Sequence, residues 1–521
     1  MKSTRLALIF AAALLVGCNA GPDYVRPKLS ISSRFSRWPS FQPATSPSTK
    51  TAVATQAAPV IDLAHWWEPM QDPELNSLLA RAVAGNLDVQ VAIDRLQAAR
   101  AQLAEFGARE LPDLDLSGVA GQGAGSNISR GGQVNGPLAA AVNTSGLREV
   151  TQVLGVDTAF ELDLFGNLRR EQQAIAADAA AAAEVRDQVL VTLLGDVARN
   201  YIQLRTLQLR IQVAEEAFDA QRHAAKVEHE RLNRGITNAL DATLADREVE
   251  TTEAVLPPLQ AQLIASQRNL AVLLGEQPDA LLDELELPSP LPRPPAIIDV
   301  GLPSELLLRR PDVRQAEALL IAANARLGVA TASLYPRFFL TAAGGFQSQG
   351  FGRDPVSFRG IWEAAPTINW PLLDFGTIDA NIQMQNQATR AQAANFQKVL
   401  FTAIEEVDNG LTTYDAERRR LDNLGRAVVD AQRAVDLATQ RYDRGIIDYL
   451  NVLDAQRSLY MLRDQQSLSE NAAVSDYIDV CQSLGGGWEG FPPPPPLKAP
   501  LPALLATVRD ATGHSDRPLG G

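Results

Sequence analysis

The chain repeats itself, and nothing else in the sequence limits its fold so strongly. Asp88-Val89, Ala98-Ala99, Ala101-Gln102-Leu103 and Pro112 recur as Asp312-Val313, Ala322-Ala323, Ala325-Arg326-Leu327 and Pro336, each shifted by 224 positions. Phe165-Gly166, Arg234-Gly235 and Leu274-Gly275 recur as Phe375-Gly376, Arg444-Gly445 and Leu484-Gly485, each shifted by 210. A spacing that is constant within each set means one supersecondary unit built twice. The difference of 14 residues falls between the proline and the Phe-Gly pair, so the first copy carries the longer loop there. The expected divisions are a leader 1–17, an N-terminal segment 18–60, a first repeat 61–285, a Pro-rich linker 286–300, a second repeat 301–490 and a Pro-rich tail 491–521.

Each copy predicts a helix, two strands, a long helix, a turn and a shorter helix. From Gly166 to Arg234 and from Gly376 to Arg444 there is no proline. Each stretch of about 69 residues would run roughly 100 Å as a helix, longer than most soluble domains require. Leu421, Leu424, Val428, Ala431, Val435, Ala438 and Tyr442 keep a strict 3-4 spacing, and Ile211, Ala214, Phe218 and Ala225 follow it less regularly. The helices leading into the strands, 74–107 and 304–332, and those returning, 240–274 and 447–484, are about half as long, and Pro257-Pro258 should break the first return. Two halves placed end to end match one long helix, so a cylinder of even length is expected.

The strands alternate. Leu154, Val156, Phe160, Leu162 and Leu164 interleave with Gly155, Asp157, Ala159, Glu161 and Asp163, and Trp362, Ala364, Ile368, Trp370 and Leu372 oppose Glu363, Thr367 and Asn369. Weaker, Gly-rich partners lie near 114–121 and 338–346, joined by polar loops 121–146 and 347–360. One polar and one apolar face over about ten residues is the pattern of a barrel with lipid outside and water within. Four strands cannot close a barrel, for which about eight are needed, so several chains must share one.

Lys2 and Arg5 precede an apolar run, 6–16, too short to span a bilayer and fit for a secretory signal. The run ends Leu15-Val16-Gly17-Cys18, which resembles the bacterial lipobox, so Cys18 is expected to be acylated after the leader is cut. Asn19 follows in place of the aspartate that commonly retains such lipoproteins at the inner membrane, so the outer membrane is expected. The net charge of −14 excludes a basic nucleic-acid-binding surface, and losing Lys2 and Arg5 makes it −16. Two cysteines and four scattered histidines suggest neither a disulfide framework nor a metal site. Gly118, Gly121, Gly123 and Gly125 lack the lysine of a phosphate loop, and no catalytic constellation or cofactor motif is visible, so no enzyme is expected.

Three stretches resemble the lipoprotein branch of the TolC-like outer-membrane efflux channel family: 18–27, Trp66-Trp67 with Asp72-Pro73-x-Leu75, and Gly301-Leu302-Pro303-Ser304 through Leu308-Arg309-Arg310-Pro311-Asp312. The resemblance implies a mainly α fold with membrane β. A homotrimer would share an outer-membrane barrel of four strands per chain, continued by a coiled-coil periplasmic tunnel. It implies docking with a periplasmic adaptor and an inner-membrane pump of the resistance-nodulation-division type, and export of drugs or other small molecules. Conduits for type I protein secretion or for metal cations are the neighbouring alternatives, and a periplasmic coiled-coil scaffold lipoprotein is the more distant one. Carried over residue by residue, the family's periplasmic gate falls at the tip turns of Gly235 and Gly445. It places Asp454 in an acidic ring, Tyr442 in the closing network with Asp241 as its partner, and Asn451 where some members have a carboxylate. Ile447 stands where some members have an arginine.

Overall fold

The computed structural model describes residues 19–27, 62–123, 149–295, 309–351 and 357–496. Cys18, the Gly301-Leu302-Pro303-Ser304 motif and most of the first strand-joining loop lie outside the described residues.

The chain enters through two 3-10 turns, Leu63–His65 and Glu68–Met70, and then forms α1, Pro73–Gly85. Asp72 starts α1 because its carboxylate accepts from the backbone N–H of Glu74 and Leu75 at 2.9 and 3.0 Å, while Pro73 gives up a donor that would be orphaned anyway. The leading helix, expected to be continuous from 74 to 107, breaks at Asn86. Extended at ψ 130°, that residue caps α2, Leu87–Arg109, through the N–H of Asp88 and Val89, and its amide donates to the Leu273 carbonyl at 2.8 Å.

Strands β1, Asp115–Gly123, and β2, Glu149–Leu162, lead into α3, Asn167–Asn233. The return is α4, Ala239–Glu253, and α5, Leu256–Leu273, interrupted immediately before Pro257-Pro258 because proline cannot supply the helical N–H. The second half repeats the plan with α6, Pro311–Ala332, β3, Arg337–Phe351, β4, Ser357–Asn369, α7, Thr377–Asp443, and an unbroken return α8, Tyr449–Ser483. Both long helices have 67 residues.

The strands form one antiparallel sheet in the order β1-β2-β3-β4, so β1 and β4 are left as edges. Leu116 pairs with Val156 and Leu340 with Pro366, and these are the same positions of the repeat. Leu116, Leu154, Val156, Leu340, Phe346, Trp362 and Ile368 all lie on one face and all are exposed, Trp362 by 82%. The opposite face carries Ser117, which donates to Asp157 at 2.7 Å, and Arg337, paired with Glu161. Val153 and Ala343, with Ile361 against them, make an apolar patch on that otherwise polar side. Among the described residues no helix is long and apolar enough to cross a membrane.

Along the helices, α2 packs on α3, α3 on α6 and α6 on α7, while α8 lies against both α3 and α7. The main core sits halfway along, where Trp66, Leu75, Leu78, Leu190, Leu194 and Tyr477 are buried. Trp66 and Trp67 meet edge to face at 5.5 Å, and the Tyr477 hydroxyl donates to the Trp66 carbonyl at 2.8 Å. Arg310 fastens the second half to this core: buried, it donates to the Ser483 carbonyl at 2.7 Å and to Glu406 at 2.6 Å. Of the Pro-rich segments, the described linker accepts from Arg205 at the Leu287 carbonyl, 2.8 Å. The start of the tail lies on α2, where Gln97 donates to the Pro495 carbonyl at 3.0 Å.

Candidate functional site

Two places follow from this frame: the junction where strands become long helices, and the turns at the helices' far ends.

At the junction, residues 19–27 run down the outside of the α3–α6 pair. The Ala20 N–H donates to the Phe165 carbonyl at 2.9 Å, and Arg170, buried, reaches the Ala20 carbonyl at 3.1 Å and the Asp23 carboxylate at 2.7 Å. Further down α6, Asn324 donates to the Pro22 carbonyl at 3.0 Å and Tyr24 donates to Glu317 at 3.1 Å. Ala20 is therefore pinned at the rim where the apolar sheet face ends, two residues beyond Cys18.

At the far end both turns close in the same way. Gly235 and Gly445 take φ of 70° and 71°, with Ile236 N–H on the Arg231 carbonyl and Ile446 N–H on the Arg441 carbonyl, both at 2.9 Å. This is the Schellman closure, and with open space around each glycine, left-handed φ alone requires it. Ile236, Leu240, Ile446 and Leu450 occupy equivalent repeat positions and are all exposed, at 62, 64, 64 and 48%.

Behind the turns, Ala225, Ala245, Tyr449, Val452 and Leu453 form a small buried core, and Tyr442 packs on it. The Tyr442 hydroxyl donates to Glu228 at 2.8 Å, not to Asp241. Asp241 lies in the first turn of α4 and accepts instead from the Thr237 hydroxyl at 2.7 Å, while Asn238 caps the helix through the Asp241 N–H. Glu228 faces Tyr442 from α3 and is 1% exposed. The Arg231 guanidinium stands 4.5 Å over the Tyr442 ring, and Tyr449 tilts against it at 5.4 Å. Burial, then the bond to Glu228, pushes the Tyr442 hydroxyl well above its usual pKa, so it is a donor throughout the physiological range.

Asn451 is exposed and donates to the Asp448 carbonyl at 3.3 Å, within its own helical turn. Asp454 is exposed on α8, three residues before Arg457. Hydrogen bonding to Glu248, with a smaller contribution from Asp454, raises the Arg457 pKa and ties α8 to α4. Above that pair, a cavity of about 410 Å³ opens beside the Pro257-Pro258 break, bounded further up by the Arg210 to Asp464 pair at 2.6 Å.

The structure thus brings Tyr442 together with Glu228, Arg231 and Tyr449, three residues the sequence reading did not single out. A signal for Glu228 existed: with Ala217, Gln221 and Ala225 it occupies the buried seam of α3 at 4-4-3 spacing. A carboxylate on a coiled-coil seam needs a partner.

A sequence profile of the family described as "Outer membrane efflux protein" matches residues 78–276 and 302–486. The chain is 30% identical over 493 residues to the toluene efflux pump outer membrane protein TtgF of Pseudomonas putida, covering 94% of this chain and 98% of that one. It is 29% identical over 497 residues to nodulation protein T of Rhizobium leguminosarum, with the same coverage. The solved outer-membrane channel OprN superposes with a TM-score of 0.77 at 31% identity, over 91% of this chain and all of that one.

Proposed function

The chain belongs to the outer membrane efflux protein family and is an outer-membrane efflux channel, and on that premise we propose how its parts divide the work. The sheet crosses the outer membrane with Leu116, Leu154, Leu340, Trp362 and Ile368 toward lipid and Ser117, Asp157, Glu161 and Arg337 toward water. The chain is a homotrimer, as its family implies, and neighbouring copies pair the two edges that four strands leave open. Cys18 carries lipid at the junction: the contacts of Ala20 with Phe165 and Arg170 leave a two-residue reach to the rim of the apolar face. The long helices carry the conduit across the periplasm. The exposed Ile236, Leu240, Ile446 and Leu450 offer an apolar tip to a periplasmic adaptor, which couples the channel to an inner-membrane resistance-nodulation-division pump.

In this reading the tip is the gate. Tyr442 to Glu228 is the closing contact inside each chain, and Asp241 and Asp454 set a negative potential around the opening. The cargo is small and largely apolar, in the manner of the toluene that the P. putida relative's name states for that protein. The single observation that carries the reading is a sheet whose apolar face presents Leu154, Leu340, Trp362 and Ile368 exposed and which passes directly into 67-residue helices.

The test is efflux in cells that lack the chain. Such cells should accumulate an apolar fluorescent dye and lose tolerance to organic solvent, and the wild-type gene should restore both. Unchanged dye retention on deletion and on complementation refutes the cargo class. Labelling with radioactive palmitate should mark the wild type and not Cys18→Ser; an unlabelled wild type refutes the anchor.

A further inference from the structure

We infer that the cavity of about 410 Å³ beside the Pro257-Pro258 break is a binding site for a small uncharged alcohol or phenol, and that the bound molecule braces the closed tip. The brace rests on the tip-gate reading above; the site does not.

The space lies between α3, the break in the return helix and α8. Ala214 and Ala217 on α3 and Leu259 on α5 give it an apolar wall, joined by the half-exposed Val255 at the break, and α8 contributes Tyr460. The room comes from small or polar residues that the second half replaces. Ala214, Thr251 and Thr252 have Leu424, Met461 and Leu462 at the equivalent positions, where the return runs unbroken. A volume at the lower end of the range that holds organic ligands suits a body of one ring.

Charge selects the guest. Arg210 is paired with Asp464 at 2.6 Å and Arg457 with Glu248 at 2.9 Å, all four lining the cavity. Two cations and two anions cancel, so an ionised guest would lose its hydration with no unpaired counter-charge to replace it. Hydrogen-bonding capacity remains. Among the described residues the Tyr460 hydroxyl makes no hydrogen bond, and each guanidinium engages its carboxylate through Nε and Nη2, which leaves Nη1 as a donor. Thr251 and Thr252 donate to the Glu248 carbonyl at 3.1 and 2.8 Å, so their own oxygens can accept. A single hydroxyl can accept from Tyr460 or an arginine and donate to a threonine oxygen, while its ring covers the apolar wall.

A guest that touches α3, α5 and α8 at once binds this arrangement of the three helices. It is the arrangement in which Tyr442 bonds Glu228, so occupancy favours the closed tip through the guest's higher affinity for it.

The experiment is fluorine NMR of 4-fluorobenzyl alcohol with the detergent-purified full chain, beside 4-fluorotoluene and 4-fluorobenzoate. Wild type should give saturable line broadening with the alcohol, binding weaker by roughly three- to tenfold with the toluene, and none with the benzoate. Ala214→Leu combined with Thr251→Met and Thr252→Leu fills the cavity with second-half side chains and should abolish the saturable signal. Tyr460→Phe, which leaves packing intact, should weaken it by roughly three- to tenfold. Native mass and melting verify the assembly of each variant. A signal equal in wild type and the filled variant is partitioning into detergent and overturns the site, and benzoate bound as tightly as the alcohol overturns the uncharged class. In planar bilayers the alcohol should lower wild-type conductance and leave the filled variant unchanged. Binding without that change overturns the brace, whereas opening by Tyr442→Phe, recorded without the alcohol, reports on the gate separately.

Discussion

Removing one hydroxyl should loosen the tip. In Tyr442→Phe the ring keeps its place under Arg231 and against Tyr449, but the 2.8 Å bond to Glu228 is gone and a carboxylate only 1% exposed loses its donor. A hydrogen bond to a charged group contributes about 1.5–3 kcal/mol, and because Tyr442 is itself half-exposed the lower figure applies, about 1.5 kcal/mol per chain. At about 1.4 kcal/mol per factor of ten, each subunit's closed state should lose roughly tenfold in population. Glu228→Gln keeps an acceptor but removes the charge, so about 1 kcal/mol of the bond should remain and the loss should be about 0.5 kcal/mol, roughly twofold. Asp241→Asn should change closure little, because Asp241 is bonded to Thr237 within its own turn. Single-channel recording in planar bilayers measures all three on protein of verified assembly. The order expected for increased conductance is Tyr442→Phe, then Glu228→Gln, then Asp241→Asn. Opening by Asp241→Asn with Glu228→Gln silent would refute the assignment of Glu228 as the closing partner.

Three further outcomes are expected. Asp454→Ala should lower the preference for cations over anions in the same recordings, since in the proposed gate it removes one exposed carboxylate per chain. Gly275→Ala should destabilise the periplasmic core by about 2 kcal/mol or more, because Gly275 has φ 76° and a Cβ there would come within 2.1 Å of the Gly85 carbonyl oxygen. Gly235→Ala, with φ 70° and open space, should lose only the conformational part, about 1–2 kcal/mol, and denaturant melts compare the two. Glu184 sets a pH dependence: burial, outweighing the attraction of Arg314, raises its pKa from 4.5 to about 7. The native chain therefore holds a proton that the unfolded chain has released, and stability from this group is full below pH 4.5 and lost as pH rises through about 7. Glu184→Gln should flatten that decline in melts taken across the window.

The sequence made the long helices legible because their ends are local. Phe-Gly pairs start α3 and α7, Arg-Gly pairs stop them, and no proline intervenes. The lipid face was legible for the same reason, since alternation in β2 and β4 is a property of adjacent residues. What escaped depends on distant contacts. The break at Asn86 is stabilised by the Leu273 carbonyl, 187 residues away, and nothing beside Asn86 announces it. The weak partners β1 and β3 gain their length from pairing with β2, so β3 continues to Phe351 through a Gly-rich stretch that alternation alone ended at 346. At the tip, resemblance brought Asp241 and Tyr442 to the same end of the molecule. The identity of the bonded carboxylate depended on how α3 faces α7, which placed Glu228 there.

The central claim is that the four strands and the long helices of one chain are one third of a channel. Native mass spectrometry of the mature chain, released gently from detergent, measures this directly. The expected result is a single species of three chains, in which neighbouring copies pair the two sheet edges that one chain leaves open. A stable folded monomer, with both sheet edges unpaired, would contradict it.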